Sequence, residues 1–198
     1  MSSIEPIRLE LADATAQQLV RAAESRLGQS TNMLRTMAHS PAILETYLHF
    51  NRAFERTRMT TKLRGLLTIA IAQEMRSEYI LSVAVALGVR EGLSLEELEA
   101  ARHTKCDDPR ITAALSFAIH AIQVDGKVEP ASVASLREAG YSDEEIVEII
   151  GAIAINLFRN FFNLIAGTEV DFPRLRAPDP IQNNQLQPAV ADGQTKNN

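Results

Sequence analysis

Residues 63–84, LRGLLTIAIAQEMRSEYILSVA, decide how the rest of the chain is read. Apolar residues recur through the stretch without the strict alternation of a half-buried strand. It predicts two helices, at about 60–75 and 77–90, with a break near Ser77.

The same helical grammar continues on both sides. Ser40-Pro41 places a capping hydroxyl before a proline suited to the first helical turn, and the pattern returns at Asp108-Pro109 and near Glu129-Pro130. Capping boxes of the form S-x-x-E stand at Ser94 to Glu97 and at Ser142 to Glu145. Helices are expected at about 13–27, 31–38, 41–56, 60–75, 77–90, 94–103, 108–124, 130–139 and 143–166. With no strand-type run, the fold class is an all-α bundle.

Two segments share a pattern. Gly92-Leu93-Ser94-Leu95-Glu96-Glu97-Leu98 and Gly140-Tyr141-Ser142-Asp143-Glu144-Glu145-Ile146 each follow shortly after an Arg-Glu pair. Two copies are too few for a solenoid, so they read as a helix-turn-helix unit used twice, glycine ending one helix and serine capping the next. After Pro173 the chain turns rich in Pro, Gln and Asn. The expected organisation is therefore an N-terminal segment with the first helix over 1–27, a helical domain over 28–173, and a mobile tail over 174–198.

A chain of 198 residues, 45% of them hydrophobic, is long enough for one full core. Twenty basic against 25 acidic residues give a net charge of -5 with no block of one sign, which argues against nucleic acid. The first residues, MSSIEPIRLELAD, have neither the basic start nor the apolar run of a secretory signal, so a soluble, cytoplasmic protein is expected. Only Ile146–Gly167 is apolar enough to raise a membrane question. Glu148, Asn156, Arg159, Asn160 and Asn163 within it favour a core helix of a soluble bundle.

The segment Leu63–Ala72 followed by Ser77–Ala84 resembles the AhpD-like, or carboxymuconolactone decarboxylase, family. Asn32–Pro41 is similar to that family's N-terminal region, Ala139–Ile149 to a later helix start, and Phe161–Pro173 to its ending, so the resemblance spans roughly 28–175. It implies an AhpD-like helical bundle and a homo-oligomer. In the peroxidase branch a glutamate is followed twelve residues later by Cys-x-x-Cys, with a histidine four residues beyond the second cysteine. The second cysteine is the peroxidatic thiolate, the first resolves it as a disulfide, and the glutamate and histidine relay protons. Those positions are here Gly65, Ser77, Ile80 and Ala84. No catalytic residue is carried over. The replacement turns a reactive site into a small apolar pocket, or lets Ile80 and Ala84, four apart on one helix face, complete the core; Ser77 is expected to cap its helix.

Other groups that could carry chemistry are few. Cys106, the single cysteine, cannot form an intramolecular disulfide, and with His103 three residues before it the pair is expected to straddle a loop ahead of Asp108-Pro109. Glu74 and Glu78 could meet only on an unbroken helix. His39, His49, His103 and His120 make no known metal spacing, so neither metal nor cofactor is expected. Pocket candidates are His49, Tyr79, Ser82, Asn156 and Asn160. Asn156, Asn160 and Asn163 form one polar stripe, whose amides must find partners at a helix end, across a subunit boundary or on a ligand. Gly151, Ala152 and Ala154 allow a second helix to come close, and Arg159 is expected to touch a neighbouring subunit.

The function expected is a non-catalytic or repurposed oligomeric protein with a small apolar pocket, a pseudoenzyme by descent. The alternative is an enzyme, with residual peroxiredoxin-type hydroperoxide reduction or a thiol-independent, decarboxylase-like reaction on a lactone or other small carboxylate.

Overall fold

The computed structural model describes residues 2–27 and 31–176. Among them nine α-helices follow a short 3-10 turn at Leu9–Leu11: α1 (Ala14–Leu27), α2 (Asn32–Met37), α3 (Pro41–Phe54), α4 (Thr61–Glu74), α5 (Glu78–Arg90), α6 (Leu95–Arg102), α7 (Pro109–Gln123), α8 (Pro130–Glu138) and α9 (Asp143–Ala166). The expected all-α bundle is what forms, and each helix lies within two residues of its expected bounds.

Local caps set those bounds. The Ile43 amide donates to Ser40 Oγ at 3.4 Å and the Arg110 amide to Asp108 Oδ1 at 2.8 Å, while Glu129 holds its N-cap position without a side-chain bond. Both capping boxes are complete. Ahead of each, a glycine at φ +88° stops the preceding helix, and the next amide donates back into it: Leu93 to the Gly88 carbonyl, Tyr141 to that of Leu136. Glycine takes this left-handed conformation at little cost. The repeat goes deeper than the turn. Glu97 of the first box is bonded by Lys62 at the start of α4, and Glu145 of the second by Arg110 at the start of α7, each partner 35 residues upstream.

The core gathers around α4, which packs against α5, α6, α7 and α9 and buries Leu66, Leu67, Ile69 and Ile71 completely. α1 joins the same core through Ala16 and Val20 and rests on α3. α9 is long and apolar enough to cross a membrane, and 44% of its apolar window is buried among the other helices. A Cβ on Gly151 would stand 3.2 Å from the Phe54 ring, so the close approach expected there is made by α3. Of the segment expected to be a mobile tail, Arg174 pairs with Glu78 at 2.7 Å and Leu175 is buried. Residues 177–198, the remainder, lie outside the described residues.

Candidate functional site

The break between α4 and α5 builds the site. Met75 caps α4, Arg76 turns left-handed at φ +53°, and the Ser77 amide donates back to the Ala72 carbonyl at 2.9 Å. That turn swings α5 back along α4. It also separates Glu74, which accepts from Gln123, from Glu78, which pairs with Arg174. Ser77 occupies the N-cap position of α5 as expected, but its hydroxyl makes no capping bond and is buried without a partner.

Between α3, α4, α5 and α9 lies a cavity of about 560 Å³, within the size range of small-molecule sites. Gly65, Ile80 and Ala84 all line it, together with Met33, Tyr79 and Ile155; Ser77 does not. Ile80 and Ala84 are both nearly buried, so they close the core and wall the cavity at once. A Cβ on Gly65 would meet only Leu93 at 3.7 Å and the Glu91 carboxylate at 3.9 Å, so there is room at this position.

Of the pocket candidates, His49, Tyr79 and Asn156 line the cavity, whereas Ser82 and Asn160 are not in its lining. Ser82 is turned the other way, and its hydroxyl accepts the Leu175 amide at 2.9 Å, tying the end of the described chain to α5. The three asparagines answer their buried donors within α9 itself, each amide donating to the carbonyl four residues earlier: Asn156 to Ala152, Asn160 to Asn156, Asn163 to Arg159. Arg159, expected at a subunit contact, lines the cavity and donates to Asn156 Oδ1 at 2.6 Å. Arg64 lines it too, a contribution that sequence reasoning missed because an arginine next to a glycine carries no pocket signal. His103 faces Glu99 at 3.3 Å rather than joining Cys106, whose amide is held by Thr112 in the loop before α7.

Tyr79 is a buried group in the cavity wall, its hydroxyl accepting the Met33 amide at 3.2 Å. Burial pushes its phenol far above the ordinary 10.0, and the Asp171 carboxylate nearby opposes ionisation further. It is thus a hydrogen-bonding group and not a base. Tyr141, bonded to the Arg110 carbonyl at 2.9 Å, is likewise pushed up by burial, to about 12. Above pH 10 the unfolded chain loses these protons while the folded chain keeps them, so stability is fully present below about pH 10 and declines towards pH 12. Urea unfolding across this window is expected to show that decline. Tyr79→Phe makes it shallower from a lower starting stability, since the Met33 amide loses its acceptor.

No family model and no curated protein matches the chain. Solved structures do. The debrominase Bmp8 in complex with 2,3,4-tribromopyrrole superposes with a TM-score of 0.72 at 20% identity, over 85% of this chain and 91% of that one. The alkylhydroperoxidase AhpD core of an uncharacterized peroxidase-related protein from Ralstonia eutropha JMP134 gives 0.67 at 20% identity, over 85% and 93%. The fold is that of the AhpD core. An uncharacterized peroxidase-related protein from Silicibacter sp. TM1040, at 0.71 and 15% identity, shares this AhpD-like frame over 93% of this chain and 95% of its own. At such identities the likeness is one of fold. Within the frame this chain has no cysteine at the positions that correspond by resemblance to the thiol pair, because Ser77 and Ile80 stand there.

Proposed function

We propose that this chain is a repurposed member of the AhpD-like family that binds a small, largely apolar ligand in the cavity where relatives of the peroxidase branch keep their thiol site. In this reading it is a non-catalytic, cytoplasmic homo-oligomer. The observation that carries the proposal is that Gly65, Ile80 and Ala84, three of the four positions stripped of thiol and proton-relay groups, still face one cavity of about 560 Å³. A further support is that a protein of the same fold, Bmp8, is seen with 2,3,4-tribromopyrrole, a small halogenated heterocycle. Protein purified gently, then denatured and extracted, should release a stoichiometric small molecule detectable by mass spectrometry. Extracts that hold none, from protein shown to be folded, would count against the reading.

Assembly is supported by one face of α9, where Val147, Ile150, Phe161 and Ile165 are exposed at helical spacing, Phe161 to 54% and Ile165 to 73%. Apolar stripes of this extent mark contact surfaces. Light scattering behind a sizing column should give an oligomer for the natural chain. The double variant Ile150→Lys, Phe161→Lys should give a monomer with unchanged helical content.

A second reading is an enzyme of the thiol-independent, decarboxylase-like kind acting on a lactone or small carboxylate. What favours it is that the lining holds titratable side chains, His49 and Glu91, as well as apolar ones. Residual hydroperoxide reduction would have to run through Cys106, which is not in the cavity lining. Peroxide consumption with a dihydrolipoate-type reductant is therefore expected at background level, unchanged by Cys106→Ser.

A further inference from the structure

An apolar cavity has no need of guanidinium groups, yet four arginines line this one, Arg52, Arg64, Arg90 and Arg159, of which Arg159 from α9 and Arg64 from α4 are the partly buried ones. Arg159 donates through Nη2 to Asn156 Oδ1 at 2.6 Å and to Thr68 Oγ1 at 3.3 Å, both neutral acceptors. Its Nε is buried with no partner. Arg64 is held in the same way, to the Phe54 carbonyl and the Thr61 hydroxyl, each at 3.2 Å. Among the described residues neither arginine is ion-paired. The two acidic residues of the lining, Glu55 and Glu91, are exposed to water.

A partly buried cation without a counter-charge is costly, and such sites are stabilised by an anion that replaces the lost hydration. Thr68 and Asn156 fix the Arg159 guanidinium, Thr68 being anchored by its own donation to the Arg64 carbonyl at 2.9 Å. With both Nη2 hydrogens spent there and Nε buried, Nη1, which has no partner among the described residues and is not buried, is left for an anionic acceptor. Ile80, Ala84 and Tyr79 in the same lining supply an apolar bed for the rest of a ligand.

We propose that the cavity is a site for an amphipathic carboxylate, its anionic end held by Arg159 with Arg64 nearby, its apolar body lying against Ile80 and Ala84. This rests on the reading of the cavity as a ligand site and adds the chemical class of the ligand.

Calorimetric titration of the full-length protein with 4-phenylbutyrate and its neutral counterpart 4-phenylbutanamide tests it. The carboxylate should bind the natural chain about tenfold or more tightly than the amide. Arg159→Met should erase that preference by weakening the carboxylate alone, and added salt should weaken the carboxylate but not the amide. Thr68→Val, which removes one anchor of the guanidinium while keeping its charge, should weaken the carboxylate less; it serves as the informative variant if Arg159→Met unfolds. Equal affinity for the two probes, or a preference that survives both substitutions, would overturn the proposal and leave the apolar-ligand reading standing. Binding of neither probe to the folded natural chain would overturn both.

Discussion

A chain carrying Gly65→Glu, Ser77→Cys, Ile80→Cys and Ala84→His together is expected to consume alkyl hydroperoxide with a dithiol reductant at least about 100-fold faster than the natural chain, the scale of acid–base assistance to a thiolate. Each substitution has its place. Gly65 has room for a Cβ, with only ordinary contacts at 3.7 and 3.9 Å. A thiol at 77 sits at the N-cap of α5, and one at 80 lies within its first turn, where the helix N-terminus favours thiolate. Ala84, one turn further on the same face, opens to a cavity large enough for an imidazole. Cys106→Ser in the same background should change nothing. A folded quadruple variant that fails to oxidise its thiol pair and shows no turnover would mean that the frame around α4 and α5 differs from the peroxidase frame after all.

The second large effect is on stability. Leu66→Ala is expected to cost about 2–5 kcal/mol, because Leu66 is fully buried in the helix on which four others pack, and its removal leaves a hole they cannot close together. For a chain of this size that corresponds to a fall in Tm of roughly 4–20 °C. Leu11→Ala, at a leucine 73% exposed on the 3-10 turn, should change stability by no more than about 0.5 kcal/mol. Thermal unfolding of the two variants side by side gives the contrast. Equal shifts would show that α4 is not the centre of the core.

What the sequence made legible was local. Ser94 with Glu97 and Ser142 with Glu145 fix helix starts through bonds spanning three residues, and Gly92 and Gly140 fix the preceding ends, so helix bounds needed no tertiary knowledge. The AhpD-like frame was legible too, through the motif around Gly65 and Ser77. Side-chain direction was less so. Ser82 falls between Ile80 and Ala84 in sequence, but two residues along a helix is more than half a turn, and it faces Leu175 instead of the cavity. The asparagine stripe reads as a call for outside partners; each Nδ2 turns back to its own helix, while the Oδ1 atoms of Asn160 and Asn163 are buried without a partner. Arg159 reaches the cavity only because α9 crosses α4 near Thr68, a contact 91 residues long in sequence that no periodicity reveals.

The cavity bounded by Gly65, Ile80 and Ala84 is expected to be occupied in the working protein. Native mass spectrometry of the natural chain beside Ala84→Trp, which fills the cavity from its wall, tests it most directly. The natural chain should carry a small molecule of discrete mass on each subunit, and the variant, equally folded, should carry none. An empty natural chain, or the same bound mass on both, would contradict it.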